Sequence, residues 1–233
     1  MTHRFYIEGA IPKEGVFILN SEAVAHQLSR VLKIHEGEEV IFFNGAGIDH
    51  VTAIVKISRR FVSGRVKACL RSERDPSREV HLFHALTKKD TIEWMLEKGT
   101  ELGVKFFHPV RSERSVKTGI NRERARRIVI EATEQSGQGM VPVIADVVAF
   151  TDVLEHISSG AHTFLFDPTG TALVPEKVSL GAVNILIGPE GGFTPQELLR
   201  ARECGIPITS LGKRILRAET AAIIAVAKLL DGC

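Results

Sequence analysis

Two glycine-containing turns near the C-terminal end of the chain hold the residues whose types and spacing could do chemistry. The first, Gly188–Phe193 (GPEGGF), follows the apolar run NILI, and the second extends from Leu211 to Thr220 (LGKRILRAET). Glycine lets the backbone approach a ligand closely, and ligands of open α/β sheets bind beyond the carboxyl ends of the strands. Two such turns at neighbouring strand ends therefore predict a small-molecule site.

Two charged side chains in the second turn, Arg217 and Glu219, strengthen this prediction. The spacing of either turn, taken alone, favours an ordinary tight turn without a ligand. Because both turns follow adjacent strands and one carries an Arg–Glu cluster, the balance shifts towards ligand binding.

Common signatures of other sites are absent from the sequence. It contains no P-loop, no G-x-G-x-x-G after a strand, no H-E-x-x-H and no G-x-S-x-G. His81 and His84 lie in one strand pattern and are interpreted as structural. The cysteines Cys69, Cys204 and Cys233 are far apart and form no C-x-x-C pair. They indicate neither a zinc site nor a disulfide framework, and we expect a reduced, cytosolic protein.

The elements that must position the two turns alternate between strand and helix, which predicts an α/β fold with a mostly parallel sheet. Asp90 is the expected cap of one helix, with Glu93 completing a capping box and Gly103 ending it. Further helix starts are predicted at Asn121, near Thr151, at Ala218, and at Thr194, where Pro195 and Glu197 follow.

The first seventy-odd residues have a different pattern and predict a small β-barrel-like module. Two β-rich runs flank the turn signal Asn44–Gly47, FVSGRVKACL is a further strand candidate, and Ser21–Leu32 fits one short helix. The polar segment Arg71–Arg78 is typical of a linker. The predicted division is into residues 1–74 and 75–233.

Length and composition are those of a globular protein with one large domain or two small ones. The chain has 233 residues, 44% of them hydrophobic and 25% charged, and a net charge of +2. No apolar run is long enough to span a membrane, and the N-terminus lacks the apolar core of a signal peptide. Basic residues cluster in Lys56–Arg74 and Arg111–Arg127. These clusters indicate either a polyanion-binding surface or two solvated faces.

Both C-terminal turns, in their sequence context, resemble a known family. The strings NILIGPEGGFTPQEL and SLGKRILRAETAA are similar to motifs of the SPOUT class of S-adenosylmethionine-dependent RNA methyltransferases. The resemblance narrows to the branch that methylates N3 of a uridine in bacterial 16S ribosomal RNA. It extends in order over HRFYI, HQLSRVLKIHEGEEVIFFNGAG, LTKKDTIEWMLEKGTELGV, RSERSV and EATEQSG. It therefore covers nearly the whole chain.

The resemblance implies a fold and partners that composition does not show. Residues 75–233 would form an α/β domain with a deep trefoil knot, a rare topology. Residues 1–74 would form a PUA-like β-barrel that binds RNA. The implied cofactor is S-adenosylmethionine, and no metal is implied. The implied substrate is 16S ribosomal RNA within the small subunit, acted on by a cytoplasmic homodimer without membrane contact.

The resemblance also assigns residues to the donor pocket. Main-chain groups of the second turn would hydrogen-bond the adenine, while the first turn would approach the methionine and ribose parts. The implied cofactor-binding residues are Leu165, Phe166, Gly188, Pro189, Glu190, Gly191, Leu211, Gly212, Ile215, Leu216, Thr220 and Ala221.

Methyl transfer to uracil N3 also needs alignment and stabilisation of developing negative charge on the base. Arg217 is the first candidate for this role and Arg114 the second. Glu134 and its neighbour Gln135 are candidates for substrate binding or proton handling, or else form an exposed helix end. Glu219 could orient Arg217 or take part in catalysis. Gln138 stands where the family often has arginine, which weakens any mechanism that uses that arginine.

Two other functions remain open at the level of sequence. One is an enzyme of the same fold that acts on a ribose 2′-hydroxyl or on transfer RNA; the order of the domains argues against it. The other is a non-catalytic RNA-binding or assembly factor that kept the fold.

Overall fold

A computed structural model describes residues 2–157, 161–174 and 181–230 of the chain. The chain divides into two compact units. The first comprises Met1–Asp75 together with Thr133–Val141, and the second comprises Pro76–Ala132 and Pro142–Cys233. No helix in the described ranges is long and apolar enough to cross a membrane.

The first unit is built on a five-stranded sheet with the order β1-β3-β4-β5-β2. Strands β1 and β3 are parallel and the other neighbours are antiparallel. The predicted turn Asn44–Gly47 joins β3 to β4, and two of its glycines have positive φ. The strands are β1 Arg4–Tyr6, β2 Gly15–Leu19, β3 Glu39–Phe43, β4 Ile48–Ile57 and β5 Val62–Arg71.

One helix completes the core of this unit. Helix α1 (Glu22–His26) begins after Ser21, whose hydroxyl accepts a hydrogen bond from the N–H of Val24, and it continues into a π-helical turn, Gln27–Val31. The predicted cap is therefore confirmed. Leu28 is fully buried and packs with Phe5 and Phe42 in the hydrophobic core.

Residues 133–141 belong to the first unit through a set of polar contacts, whereas the sequence-based division placed them in the second part. Arg4 donates to the carbonyl oxygen of Gln138 at 2.8 Å. The carboxylate of Asp75 accepts from the N–H groups of Gly139 and Met140 at 2.9 and 3.0 Å. These partners are distant in sequence, so local patterns do not predict the contacts.

The second unit contains a parallel sheet with the order β12-β10-β11-β6-β7-β8, with β9 also paired to β7. The fold is therefore mixed α/β, as predicted. Its strands are β6 Val80–Ala85, β7 Phe106–Arg111, β8 Val143–Ile144, β9 Val148–Ala149, β10 His162–Ala172, β11 Val183–Ile187 and β12 Ile208–Ser210.

Helices connect these strands. The helices that follow β6 in the described residues are α2 Lys89–Leu102, α3 Arg122–Ser136, α4 Phe150–His156, α5 Pro195–Glu203 and α6 Ala218–Leu229. The side chain of Asn121 accepts from the N–H of Arg124, as predicted for a cap. The capping box of Thr194 and Glu197 is also present.

The predicted cap of α2 at Asp90 is wrong. Lys88 occupies the N-cap position, and the helix begins at Lys89. Asp90 lies in the first turn instead, where a negative charge is favourable near the positive end of the helix dipole. Glu93 forms ion pairs with Lys89 and Arg124 rather than closing a capping box.

Strand β10 contains an irregularity that the sequence did not predict. Phe166 and Thr171 both pair with Thr209 of β12, so residues 167–170 bulge out between them. A Cβ atom at Gly170 would lie 2.6 Å from backbone atoms of Ile208 and Thr209. Only glycine fits this close approach, and the bulge is thereby held at the carboxyl-terminal side of the sheet.

Candidate functional site

A cavity of about 1150 Å³ opens at the carboxyl ends of β10, β11 and β12. This is where ligands of open parallel sheets bind. Small-molecule pockets usually measure roughly 300–1,000 Å³, so this cavity is large enough for an organic ligand. Of the predicted residues, the lining includes Arg114, Phe166, Gly188, Pro189, Glu190, Gly191, Leu211, Gly212, Ile215, Leu216, Arg217, Glu219 and Ala221.

The first glycine turn follows β11 and forms one wall of the cavity. The N–H of Gly192 donates to the carbonyl oxygen of Pro189 at 2.8 Å, and Gly192 has a φ of 68°. A Cβ atom at Gly188 would lie 3.1 Å from the ring of Phe193. These contacts fix a tight turn, and the glycines keep its backbone accessible from the cavity.

The second turn follows β12 and forms the opposite part of the lining. The Ser210 hydroxyl both accepts from the N–H of Gly212 at 3.2 Å and donates to its carbonyl oxygen at 3.1 Å. In the described part of the chain, no hydrogen bond engages the main-chain groups of Leu211, Ile215 or Leu216. The Ile215 residue is 88% exposed. The turn thus offers main-chain donors and acceptors beside an apolar surface.

The bulge in β10 supplies lining residues that the sequence analysis missed. Asp167, Pro168 and Thr169 face the cavity, and the Asp167 carboxylate accepts from both the N–H and the hydroxyl of Thr169. The signal was available, because Asp-Pro-Thr-Gly within a strand pattern is typical of a turn. Lys88, Thr91 and Arg202 also line the cavity and were not predicted.

Arg217 lies at the N-cap position of α6 and is exposed to the cavity. Over the residues that the structure describes, no hydrogen bond or ion pair engages the side chain of Arg217 or of Glu219. The pairing of these two side chains that the sequence suggested is therefore not formed. The guanidinium of Arg217 is available to a bound molecule.

Arg114 is held differently from Arg217. Its guanidinium Nη1 donates to the carbonyl oxygen of Gly191 at 2.7 Å. A Cβ atom at Gly191 would lie 3.3 Å from Cδ of Arg114. This side chain thus packs against the first glycine turn and shapes the wall of the cavity.

Three predicted site residues do not line the cavity. Leu165 is fully buried in the hydrophobic core with Leu186 and Phe193. Thr220 lies in the first turn of α6, outside the lining. Glu134 belongs to the first unit, where its carboxylate accepts from the N–H of Tyr6 at 2.6 Å.

The residues near Glu134 are also placed by the structure. Gln135 is exposed at the end of α3. Gln138 is only 5% exposed, its side-chain amide donates to the Ser136 hydroxyl, and its carbonyl oxygen accepts from Arg4. The position where the family often has arginine is thus a buried structural position in this chain.

Histidines of the second unit form a separate cluster on β6 and β7. The two ring nitrogens of His81 contact Glu79 and His108, each at 3.0 Å. Burial lowers the pKa of His84 to about 4. Burial, and to a smaller extent the nearby His81 and His84, lowers the pKa of His108 to about 4. His84 and His108 are therefore neutral at pH 7, and none of the three histidines lines the cavity.

Taken together, the lining offers hydrogen-bonding, apolar and cationic surfaces to a bound organic molecule. Free main-chain groups lie beside apolar side chains, and five cationic residues contribute to the lining. The described residues contain no cluster of three or more potential metal ligands. The cationic lining residues are Lys88, Arg114, Arg202, Arg214 and Arg217.

Most of the chain matches a known protein family. The family model described as "RNA methyltransferase domain" matches residues 73–230, a range that includes every cavity-lining residue. The chain belongs to this RNA methyltransferase family. The resemblance that the two C-terminal motifs predicted is thereby confirmed.

Two curated relatives and one solved structure agree with the assignment of this chain to the RNA methyltransferase family. It is 30% identical to Ribosomal RNA small subunit methyltransferase E of Bacillus subtilis, over 97% of this chain and 95% of that protein. Its identity to the Rickettsia conorii protein of the same name is also 30%, over 97% and 94% of the two chains. The Neisseria gonorrhoeae protein of that name, solved bound to S-adenosyl methionine, has 28% identity and a TM-score of 0.90, over 97% and 96%.

Proposed function

We propose that this RNA methyltransferase transfers a methyl group from S-adenosylmethionine to N3 of a uridine in the 16S ribosomal RNA of the small subunit. The observation that carries the proposal is the cavity between the two glycine turns, in a chain similar over nearly its whole length to a donor-bound ribosomal RNA methyltransferase. The curated relatives carry the name of the same ribosomal RNA enzyme.

The lining fits the donor in its chemistry. Adenine presents hydrogen-bonding groups on its edge and apolar faces. The unengaged main-chain groups of Leu211, Ile215 and Leu216, together with the exposed Ile215 side chain, match both features. Gly188–Gly191 would hold the methionine and ribose parts, and Phe166 would close the wall beside them.

The chemical step places demands on the protein that Arg217 meets best. When bound, the donor supplies a methyl group already activated on sulfur. Removing the proton from uracil N3 leaves negative charge on the flanking carbonyl oxygens, and a pre-placed cation stabilises that charge. Arg217 has a guanidinium without a partner at the cavity, so we assign it this role.

Arg114 has a supporting role in this proposal. Its guanidinium holds the Gly191 carbonyl oxygen, so it orients the first glycine turn. Lys88 and Arg202 extend the cationic lining. They would attract the phosphates that flank the target nucleotide.

We also propose roles for the two parts of the chain and a dimeric assembly. Residues 1–74 would act as a PUA-like RNA-binding domain and residues 75–233 as a knotted methyltransferase domain, in a cytoplasmic homodimer. The packing of the terminal helix supports the knot: β12 lies at the edge of the sheet beside β10, yet α6 packs against β11 and β6. The chain must therefore cross back over its own sheet after β12.

Two measurements, made one after the other, test the proposed function. Calorimetric titration should detect binding of S-adenosylmethionine, and no binding at high micromolar donor would reject the enzyme. Mass spectrometry of ribosomal RNA should then show N3-methyluridine lost in a deletion strain and restored by the wild-type chain. An unchanged N3-methyluridine signal in the deletion strain would refute the assigned target.

A further inference from the structure

Glu197 makes a contact that helix capping does not require. Glu197 is 7% exposed, and its carboxylate oxygen Oε2 accepts from the N–H of Thr194 at 2.8 Å, which completes the capping box of α5. The other oxygen, Oε1, accepts from the N–H of Glu113 at 2.9 Å. Glu113 lies in the segment that follows β7, so this carboxylate joins α5 to a different loop of the same unit.

Thr194 strengthens the same connection. Its hydroxyl accepts from the N–H of Glu197 at 3.2 Å and donates to the Glu113 carboxylate at 3.0 Å. Glu113 is thereby held through both its main chain and its side chain. The next residue, Arg114, donates to the Gly191 carbonyl oxygen in the cavity wall.

These contacts form one connected structure, which we call the loop clasp: Glu113, Arg114, Thr194, Glu197 and the Gly191 carbonyl. Hydrogen bonds that involve a charged partner are about twice as strong as neutral ones. Leaving a buried partner unsatisfied is costly. A carboxylate enclosed at this position therefore holds the Glu113 main chain in place, and with it the base from which Arg114 extends.

We infer that Glu197 is a positioning residue that sets the shape of the donor-binding turn through Arg114. The inference rests on the proposed function, because it names the donor as the molecule for which the turn is shaped. Glu197 itself does not line the cavity. Its effect reaches the cavity through the Glu113 N–H and the guanidinium of Arg114.

A double-mutant cycle tests the inference by calorimetry with S-adenosylhomocysteine. Glu197→Gln keeps the volume and one acceptor oxygen but cannot accept from both N–H groups. We expect Glu197→Gln and Arg114→Ala each to weaken S-adenosylhomocysteine binding about tenfold. The double variant should also bind about tenfold more weakly than the wild type, and not more weakly than either single variant. Groups that act through one another couple in this way. Effects that multiply to about a hundredfold, or unchanged affinity in Glu197→Gln, would overturn the inference.

Two variants control for a merely structural role. Glu203→Gln removes an exposed carboxylate from the last turn of the same helix and should leave donor affinity unchanged. Glu113→Ala removes an exposed side chain and only the Thr194 contact. We expect it to weaken binding about threefold, and to have no effect in the Arg114→Ala background. This second variant serves if Glu197→Gln does not fold.

Amide hydrogen exchange provides a readout without a ligand. The N–H of Gly192, bonded to Pro189 within the cavity wall, should exchange faster in Glu197→Gln, Glu113→Ala and Arg114→Ala than in the wild type. Unchanged exchange at Gly192 in all three variants would reject the clasp. If the wild-type chain bound no donor while Gly192 responded, the proposed function would fail and the clasp would stand.

Discussion

The cavity turns and the segment 133–141 both carry motifs of the same family, yet they differ in how their polar groups are used. In the cavity, Arg217 and the main-chain groups of Leu211 and Ile215 have no partner in the described ranges. In segment 133–141, the Glu134 carboxylate and the Gln138 carbonyl oxygen are both engaged by other residues of the first unit.

This difference separates a binding site from a structural motif. Buried polar groups are normally hydrogen-bonded within a folded protein. The cavity groups named above include the exposed Arg217 and Ile215, which are solvated in the free protein and available to a ligand. The hydrogen-bond partners therefore favour a role in folding for segment 133–141 and a role in ligand binding for the cavity turns.

The largest effect that this comparison predicts is at Arg217. Arg217→Ala should lower turnover roughly 100-fold, because a pre-placed donor to developing negative charge contributes about that much. Donor affinity should change little, since the guanidinium serves the substrate side. Single-turnover methylation and calorimetry measure the two quantities. Lys213→Ala, in the same turn but outside the lining, is the matched control. A large loss of donor affinity with an unchanged single-turnover rate would refute this placement.

The next effect concerns the wall of the cavity. Gly191→Val should weaken donor binding about tenfold or more. A Cβ atom at this position would already lie 3.3 Å from Cδ of Arg114, and the valine side chain extends beyond it. Overpacking of this kind typically costs about 1–3 kcal/mol. Gly191→Ala should have a smaller effect, since Arg114 can shift by a few tenths of an ångström. Normal donor affinity in the valine variant would contradict the wall as described.

Local chemistry explains which parts of this structure the sequence predicts. The caps at Ser21, Asn121 and Thr194 depend on residues three positions apart, and all three are present. The glycine turns follow directly from strand ends, so their place at the carboxyl edge of the sheet was also predictable. The expectation that the two strands are adjacent is wrong, because β10 lies between β11 and β12. The predicted α2 cap was wrong because aspartate is favoured both at the N-cap and in the first turn of a helix, and Asp90 lies in the first turn.

Contacts between distant residues explain what the sequence missed. The close approach of Gly170 to Ile208 fixes the β10 bulge, and the contacts of Arg4 and Asp75 draw residues 133–141 into the first unit. Leu165 and Phe166 are adjacent, but successive strand residues face opposite sides of a sheet. Leu165 therefore packs in the core while Phe166 lines the cavity.

The buried His84, which lies outside both compared regions, predicts a dependence of stability on pH. Burial lowers its pKa to about 4, below the ordinary value of 6.5, so the unfolded chain binds the proton more tightly. Its contribution to stability is present above pH 6.5 and is lost as pH falls towards 4. We expect a loss of about 2 kcal/mol between pH 7 and pH 5. Urea unfolding measures the total loss, to which His108 also contributes through its lowered pKa, and that total should be smaller by about 2 kcal/mol in His84→Leu. An equally steep pH dependence in that variant would exclude His84 as the cause.

The smallest effect separates the two interpretations of Glu134. Strand β1 lies at the edge of its sheet, and the Glu134 carboxylate accepts from the Tyr6 N–H. Glu134→Ala removes that acceptor and should cost about 1 kcal/mol in urea unfolding. Glu131→Ala, on an exposed position of the same helix, is the control.

Glu134→Gln makes the comparison decisive, because the amide oxygen still accepts from Tyr6 but cannot take a proton at neutral pH. If Glu134 serves folding, the glutamine variant should recover most of the stability that the alanine variant loses. Its single-turnover rate should stay within about twofold of the wild-type rate, which is a small change because a tenfold change corresponds to about 1.36 kcal/mol. If Glu134 handles the proton of uracil N3, the same variant should be stable and slower by about 100-fold or more, as for a lost general base. The second result would move Glu134 from the structural group into the site.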